Sequence, residues 1–231
     1  MSEENDYDYE VLGEDFQNHD LSFKIIVIGD SGVGKSSLTT KATKDYFENY
    51  YSPTVGFEFY TFNVRINDKN IRLQIWDTCG QEVYRSLING FYRSASLAIL
   101  VYSIDNNKSF NSLESWLNEI KTKGNPNVKL FLIGNKNDLK EKRKVTEEQA
   151  KKFHIDYGFD LFLETSAKTG FNAQKIFVEA ARTLYEQNLN YKERISNASR
   201  DSNQAIIGFS SRDPSNSIIE EETDKKTKKC C

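Results

Sequence analysis

One stretch of the chain, from Phe23 to Leu38, constrains the fold more than any other. It reads Phe-Lys-Ile-Ile-Val-Ile-Gly-Asp-Ser-Gly-Val-Gly-Lys-Ser-Ser-Leu, an apolar run of strand length followed by the pattern Gly-x-x-x-x-Gly-Lys-Ser. Between a strand and a helix, this pattern predicts a loop whose backbone N–H groups and helix N-terminus surround phosphate. Lys35 is expected to reach the terminal phosphates, and the Ser36 hydroxyl to ligate Mg²⁺. The stretch therefore predicts a nucleoside triphosphate site.

The composition fits one folded domain with polar ends. The 231 residues are 38% hydrophobic, which is enough for a single core of ordinary domain size. Residues 1 to 20 hold eight acidic residues and no Lys or Arg, and we expect them to form a disordered extension. From about Asn190 the chain is polar and mixed in charge, which favours a disordered tail over residues 190 to 231. The domain is expected to span residues 21 to 189.

Charge and cysteine usage exclude several classes of protein. The chain lacks the basic stripe of a nucleic-acid-binding protein, an apolar run of membrane-spanning length and the features of a signal peptide. Cys79 stands alone, and Cys230 and Cys231 are adjacent, so the spacing does not indicate a disulfide framework. We expect the folded part to lie in the cytosol.

The apolar pattern changes along the chain and predicts the fold class. Residues 62 to 66 and 71 to 75 alternate between apolar and polar and flank a polar turn, as in an antiparallel hairpin. Residues 97 to 102, 128 to 133 and 161 to 163 read as buried strands separated by segments of helical period. The pattern predicts an α/β domain with a six-stranded, mostly parallel sheet, one antiparallel edge pairing and helices on both faces. Its ligand site should lie at the carboxyl ends of the strands.

A second motif follows the second strand of the predicted hairpin. It reads Trp-Asp-Thr-Cys-Gly-Gln from Trp76 to Gln81. Asp77 can reach Mg²⁺ as the acid that accompanies a phosphate loop, Gly80 can offer its backbone N–H to the γ-phosphate, and Gln81 can orient the attacking water. This motif extends the predicted site from binding towards hydrolysis.

Two later motifs bear on the choice of base. In Asn-Lys-Asn-Asp, from Asn135 to Asp138, the final carboxylate can accept hydrogen bonds from N1–H and the 2-amino group of guanine, a donor pair that adenine lacks. Lys136 can lie along the plane of the base. Thr-Ser-Ala-Lys, ending at Lys168, supplies backbone N–H groups for the guanine O6. Each motif alone is a weak signal, because its composition is that of an ordinary turn.

Together, in this order and at strand ends, the four motifs resemble those of the small GTPases of the Ras superfamily. The resemblance covers residues 21 to 189. Within the superfamily the chain most resembles the Rab family, in residues 55 to 59, 72 to 76 and 91 to 95 and in the Cys-Cys ending. The resemblance implies the fold of a P-loop small G domain, with Mg²⁺ as its cofactor. Cys79 departs from the pattern, because the family usually has Ala there.

The resemblance also implies roles for individual residues. Gln81 and Lys35 would be catalytic, and Thr54 would join Ser36 and Asp77 as a Mg²⁺ ligand. The residues expected to bind GTP are Ser31, Gly32, Val33, Gly34, Lys35, Ser36, Ser37, Phe47, Tyr51, Thr54, Gly80, Asn135, Lys136, Asp138, Ser166, Ala167 and Lys168. The aromatic triad that Rab effectors contact is matched by Phe59, Trp76 and Phe91.

The C-terminus resembles the twin-cysteine ending on which Rab proteins receive two geranylgeranyl groups. One lipid chain gives only marginal membrane attachment, so lipid on both Cys230 and Cys231 is expected to give a stable anchor. Four lysines just upstream can attract anionic lipid. The alternative is a solvated charged run that ends in two unmodified thiols.

The function implied by the resemblance is that of a GTP-hydrolysing switch in vesicle trafficking. It would bind GTP and GDP with Mg²⁺ at the cytoplasmic face of an endomembrane and keep a cytosolic pool. Its expected partners are an exchange factor, a GTPase-activating protein, effectors, a prenylation escort and a GDP-dissociation inhibitor, with no nucleic acid. Two alternatives stay open: a GTP-binding scaffold with little turnover, and a P-loop kinase or ATPase.

Overall fold

A computed structural model of the chain describes residues 8–50, 54, 56–79 and 90–207, with side chains up to residue 195. The chain divides into two compact units, Met1–Asn188 and Leu189–Cys231. The first unit contains the sheet and the candidate site. Within the described part of the chain, no helix has the length and apolar character that crossing a membrane requires.

Seven strands form one sheet in the order β1-β3-β4-β2-β5-β6-β7. The strands are β1 Tyr9–Leu12, β2 Leu21–Ile28, β3 Phe57–Ile66, β4 Lys69–Thr78, β5 Leu97–Ser103, β6 Lys129–Asn135 and β7 Leu161–Glu164. Pairing is parallel between β4, β2, β5, β6 and β7, and antiparallel from β1 to β3 and from β3 to β4. The predicted α/β class, hairpin and mostly parallel sheet are confirmed, but the sheet has seven strands where six were expected.

Five α-helices and one 3₁₀ helix lie wholly within the described residues, and residues 90–92 are helical as well. The helices are α1 Lys35–Lys44, α2 Asn107–Asn111, α3 Leu113–Lys123, α4 Glu147–Tyr157 and α5 Ala173–Ile207, with the 3₁₀ helix at Asn137–Lys142. A capping box starts α4, since the Thr146 hydroxyl accepts from the Gln149 N–H and the Gln149 side chain accepts from the Thr146 N–H. These two contacts satisfy N–H groups that no helical partner can reach.

Helices cover both faces of the sheet, as predicted, because neighbouring residues of β2 point in opposite directions. Ile25 and Val27 enter a core shared with α1 and the part of α5 in the first unit. Ile26 and Ile28 enter a second core shared with α3 and α4. Each such side chain is fully buried and contributes about 1.5–3 kcal/mol through removal from water. The two cores hold the strand ends, and therefore the loops that follow them, in fixed positions.

The acidic N-terminal segment is ordered over its described part, so the expectation of disorder is wrong for residues 8–20. β1 pairs with β3 from Tyr9 opposite Ile66 to Leu12 opposite Asn63. Beyond β1, the Asn63 amide donates to the carbonyls of Gly13 and Glu14 at 2.9 and 3.1 Å. Polar side chains of the sheet thus satisfy backbone groups of the segment, and composition alone cannot show such contacts. This segment is the source of the seventh strand.

The last helix is longer than expected. Disorder was predicted from residue 190, whereas α5 continues to Ile207, so the prediction is wrong for residues 190–207. The sequence has neither Gly nor Pro between Gly170 and Gly208, and nothing in it ends the helix before that point. Once a helix has begun, each added residue contributes one hydrogen bond, which favours propagation. The twin cysteines lie outside the described residues.

Candidate functional site

The loop between β2 and α1 depends on glycine at two close approaches. A Cβ on Gly29 would lie 2.1 Å from the Val101 carbonyl oxygen, and one on Gly34 would lie 2.4 Å from Asn135 Nδ2. Gly34 also has φ 94° and precedes the first residue of α1. Any other residue would strain the backbone and push the loop away from β5 and β6. The loop therefore curls tightly, with the N–H groups of the first turn of α1 available to an anion.

Lys35, the first residue of α1, folds back over this loop. Its side chain is buried, and Nζ donates to the carbonyl oxygens of Gly29 and Asp30 at 2.9 Å each. Burial lowers the pKa of Lys35, while the carboxylates of Asp77 and Asp30 oppose this effect. The ammonium group is thus held where a negatively charged oxygen can replace the carbonyls as its partner.

Three predicted metal ligands meet beside the loop. Ser36 Oγ lies 2.6 Å from Thr54 Oγ1. Asp77 is fully buried near the end of β4, and neither of its carboxylate oxygens is hydrogen-bonded within the described part of the chain. Burial raises the pKa of Asp77 to about 7, although the nearby Ser36 hydroxyl and Lys35 ammonium act in the opposite direction. A buried carboxylate beside two hydroxyls fits Mg²⁺, which prefers oxygen ligands and would offset the cost of burying the charge.

A cavity of about 450 Å³ extends from the phosphate loop to the ends of β6 and β7. This volume is typical of a site for a small organic ligand. The predicted residues that line it are Ser31, Gly32, Gly34, Lys35, Ser36, Ser37, Phe47, Thr54, Asn135, Lys136, Asp138, Ala167 and Lys168. Val33 and Ser166 are buried and are not among the residues that line it. Tyr51, Gly80 and Gln81 lie outside the described residues, so their predicted roles stay predictions.

The cavity also has lining residues that sequence reasoning did not single out. They are Thr40, Tyr46, Glu48, Asn49, Tyr50, Glu58 and Tyr60. The Tyr60 hydroxyl lies 3.1 Å from Thr40 Oγ1 and donates to the Glu58 carboxylate, and burial with this contact raises the pKa of Tyr60 to about 12. Helical spacing could have found Thr40, which lies one turn beyond Ser36. Strand alternation could then have paired Glu58 with Tyr60.

Asn135 connects the phosphate loop to the opposite end of the cavity. Its buried Nδ2 donates to the Val33 carbonyl at 2.9 Å. Its Oδ1 accepts from Thr165 Oγ1 and from the Ala167 N–H, both at 3.2 Å. One amide therefore ties together the loops that follow β2, β6 and β7.

Asp138 lies at the far end of the cavity and is held by a neighbouring loop. Ser166 Oγ donates to Asp138 Oδ1 at 2.6 Å and accepts from the Thr169 N–H at 3.2 Å. Lys136 adopts a left-handed conformation with φ 67°, which turns the chain sharply between β6 and Asp138. The carboxylate thus lines the wall of a cavity whose other end is the phosphate loop, as base recognition requires.

Comparison with known proteins decides the family. A protein-family model described as "Ras family" matches residues 24–186 of the sequence. The chain belongs to the Ras family. Over 167 residues it is 42% identical to the "Ras-related protein RABF2b" of Arabidopsis thaliana, an alignment that covers 72% of this chain and 83% of that relative. The chain is a Rab-like small GTPase, an enzyme that hydrolyses GTP. The predicted resemblance is confirmed, and the alternative of a P-loop kinase or ATPase is dropped.

The aromatic triad predicted for this Ras-family GTPase comes together on one face of the sheet. The ring centroids of Phe59 and Trp76 are 5.3 Å apart, and those of Trp76 and Phe91 are 4.7 Å apart. Phe57, which was not predicted, contacts both Trp76 and Phe91. The Lys24 ammonium lies 4.8 Å from each of those two ring centroids. Phe57 and Phe59 remain about half exposed, at 48% and 52%, so the group forms an apolar surface patch.

Cys79, a departure from the Ras-family pattern, lies within the described residues. Its side chain is 2% exposed, and its N–H donates to the Gly56 carbonyl at 3.0 Å. A thiol in such a place acts as a small apolar side chain that fills space. The backbone contact joins the segment after β4 to the one that precedes β3.

Proposed function

We propose that this Rab-like GTPase is a membrane-attached switch that binds GTP and GDP with Mg²⁺ and recruits effectors in vesicle trafficking. The observation that carries the proposal is the contact between Ser36 on α1 and Thr54, beside the buried Asp77 carboxylate. Thr54 belongs to a different segment from the phosphate loop, so its position can respond to what is bound there. A switch needs such a link between ligand and surface.

The nucleotide would lie along the cavity with its phosphates at the loop and its base beside Asp138. Lys35 and the N–H groups at the start of α1 would hold the phosphates. The Asp138 carboxylate would accept from N1–H and the 2-amino group, while Lys136 and Phe47 would flank the ring. The backbone N–H of Ala167 or Lys168 would meet O6. This assignment uses a charged acceptor for two adjacent donors, which favours guanine over adenine.

Ser36, Thr54 and Asp77 would hold the metal ion. Bound there, Mg²⁺ would neutralise negative charge on the phosphates. The protein's own contribution is to present two hydroxyls and a buried carboxylate at one place, with Thr54 also within reach of the γ-phosphate. Loss of that phosphate would remove a partner of Thr54 and release its segment, which is the change of surface that effectors detect.

Hydrolysis would depend on positioning and charge, with Lys35 at the phosphates and Gln81 orienting the attacking water. Unaided turnover should be on the order of 10⁻⁴ s⁻¹, as in Ras, so a GTPase-activating protein is expected. In Gln81→Leu, we expect activated hydrolysis to fall while GTP binding persists. Single-turnover hydrolysis with and without an activating protein measures this, and equal turnover in both proteins would remove Gln81 from the mechanism.

The same assay separates the switch from a GTP-binding scaffold. A switch hydrolyses bound GTP within one round once an activating protein is present, whereas a scaffold retains it. Displacement of a labelled GDP analogue tests the base preference, because excess GDP should displace it and excess ATP should not. Displacement by ATP would contradict the role given to Asp138.

Membrane attachment and effector binding complete the proposal. Lipid on Cys230 and Cys231 would anchor the GTPase to the cytoplasmic face of an endomembrane, with a cytosolic pool maintained by a GDP-dissociation inhibitor. The proposal draws on the Cys-Cys ending and on the likeness to a Rab protein. The patch of Phe59, Trp76 and Phe91 would be the surface that effectors contact, since apolar patches with aromatic rings are typical of interfaces.

A further inference from the structure

The segment that carries Asp138 is a short element with little internal support. It is the 3₁₀ helix Asn137–Lys142, which follows the left-handed Lys136 and is interrupted at Leu139, where φ is −97° and ψ is 37°. The hydrogen bonds of a 3₁₀ helix have poor geometry, so a helix of six residues depends on contacts from outside. The precision with which Asp138 is placed must therefore come from neighbouring elements.

Glu164, the last residue of β7, supplies those contacts through one carboxylate. Its Oε2 accepts from Asn137 Nδ2 at 2.7 Å, at the first residue of the 3₁₀ helix. Its Oε1 and Oε2 accept from Arg143 Nη1 and Nη2 at 2.6 and 2.7 Å, at the residue that follows the helix. A single side chain thus holds both ends of the segment in which Asp138 lies.

The environment of this carboxylate makes its contacts strong. The Glu164 side chain is 10% exposed and that of Arg143 is 23% exposed, so water screens the pair less than it screens a surface pair. The two parallel N–H···O bonds from a guanidinium also fix the relative orientation of the groups. The hydrogen bond that Arg143 donates to Glu164 raises the pKa of Arg143, in line with a firmly held ion pair.

Glu164 is also fixed from its own side. The Asn172 amide donates to the Glu164 carbonyl at 2.9 Å, and the Asn137 N–H donates to the Thr165 carbonyl at the same distance. Two residues after Glu164, Ser166 donates to Asp138 itself at 2.6 Å. The end of β7 and the segment of Asp138 are therefore locked together by side-chain and backbone contacts.

We propose that Glu164 is a positioning residue for guanine selection, which acts through Asn137 and Arg143 to set the place of the Asp138 carboxylate in the cavity. This inference rests on the proposed function, in which Asp138 accepts from N1–H and the 2-amino group of the base. Glu164 touches no part of the base in this scheme. Its effect is on discrimination, because a displaced carboxylate loses the second of two adjacent donors before it loses all contact.

The test compares GDP with inosine diphosphate, which lacks the 2-amino group. Competition of each against a fluorescent GDP analogue gives their relative affinity for the full-length protein with Mg²⁺. The unmodified protein should favour GDP by roughly tenfold to a hundredfold, the value of one hydrogen bond to a charged group. In Glu164→Ala we expect this ratio to fall roughly fivefold, because the hydrogen bond between the 2-amino group and Asp138 is partly lost. In the milder Asn137→Ala we expect a fall of roughly half that factor.

Asp160→Ala is the matched control. The Asp160 carboxylate pairs with Lys129 at 2.7 Å and accepts from the Leu130 N–H at 2.8 Å, so it links the start of β7 to the start of β6, at the opposite end of β7 from Glu164. Its loss should lower the melting temperature and leave the GDP to inosine diphosphate ratio unchanged. A ratio that fell equally in Asp160→Ala would show a general effect of stability and overturn the proposal.

The outcomes separate this inference from the function on which it rests. If the unmodified protein discriminates and folded Glu164→Ala does so equally well, the positioning role of Glu164 is wrong while guanine recognition stands. Should Glu164→Ala fail to fold, an unchanged ratio in Asn137→Ala overturns the role in the same way. If the unmodified protein binds both nucleotides equally, recognition through Asp138 is itself wrong.

Discussion

Asp77 and Tyr102 show how differently two buried polar residues can act. Both have side-chain oxygens that lack a hydrogen-bond partner among the described residues. Asp77 lies beside Ser36 and Thr54 at the candidate metal site, whereas Tyr102 lies in β5 with its hydroxyl close to Gly134. The first arrangement is explained by a ligand that binds there. The second has no such explanation. We therefore expect substitution of Asp77 to weaken Mg²⁺ binding, and removal of the Tyr102 hydroxyl to leave the fold about as stable or more stable.

In Asp77→Asn we expect Mg²⁺ to bind at least about tenfold more weakly at pH 8, because a neutral amide replaces the charged side chain among the three proposed protein ligands. GDP dissociation measured against free Mg²⁺ concentration reports the change. Glu58→Gln is the control, since Glu58 lines the same cavity but lies outside the ligand set. Equal loss in both variants would mean that Asp77 contributes only general negative charge.

In Tyr102→Phe we expect the free energy of unfolding to stay within about 0.5 kcal/mol or to rise by up to about 1 kcal/mol. Burial raises the pKa of the Tyr102 hydroxyl, and removal of a buried group without a partner relieves a desolvation cost. Tyr60→Phe provides the contrast, because its hydroxyl is hydrogen-bonded to Thr40 and Glu58 and its loss should cost about 1 kcal/mol. Denaturant unfolding with bound GDP compares the two, and equal destabilisation would contradict the assignment.

At the scale of elements, β1 is the part of the sheet that a Ras-family domain does not need for its site. It covers the edge of β3, and its Tyr9 ring lies 5.4 Å from the Arg182 guanidinium on α5. Farther along the same segment, Arg72 donates to the Phe16 carbonyl and Asp20 accepts from the Asn70 N–H. An exposed sheet edge invites pairing with other chains, so this strand protects the domain as well as stabilising it.

Deletion of residues 1–16 should lower the free energy of unfolding by about 2–4 kcal/mol, since it removes a strand pairing and several hydrogen bonds of about 1 kcal/mol each. Binding of GDP should persist, because residues 8–16, the part of the deleted segment that the structure describes, do not line the cavity. Denaturant unfolding and GDP binding measure the two effects. Glu10→Gln, which removes only the exposed ion pair with Arg65, should cost less than about 1 kcal/mol. Unchanged stability after deletion would mean that β1 contributes nothing to the fold.

The elements that could be predicted from the sequence are those whose determinants are close together along the chain. The phosphate loop lies within a dozen residues, and the β3–β4 hairpin shows its own alternation and turn. β1 has only four residues in an acidic segment, and the amide that fixes its exit, on Asn63, is 50 residues from the carbonyl of Gly13. Glu164 likewise meets partners 21 and 27 residues away. Such contacts depend on tertiary structure, which local pattern does not encode.

At the scale of the whole molecule, the proposed function joins a folded switch to a lipid anchor outside the described residues. With both Cys230 and Cys231 changed to Ser, we expect the protein to leave the membrane fraction of native cells and to collect in the cytosolic fraction. Two lipid chains give stable attachment and none should give almost nothing. Fractionation followed by mass spectrometry of the C-terminal peptide measures both the distribution and the modification.

A single change, Cys231→Ser, is the matched variant, because one remaining chain should give weak and reversible attachment. GDP binding should be equal in all three proteins, since the candidate site lies in the first compact unit. Persistent membrane association of the double variant, or an unmodified C-terminal peptide in the native protein, would contradict the proposed anchor.

The Asn135 side chain links the two ends of the cavity. Its amide is anchored to the Val33 carbonyl on one side and to Thr165 and Ala167 on the other. A change that opens the phosphate end or the base end disturbs hydrogen bonds of the same side chain, so we expect the two ends to release the nucleotide together. Under the proposed function, an exchange factor would need access to only one end of the cavity.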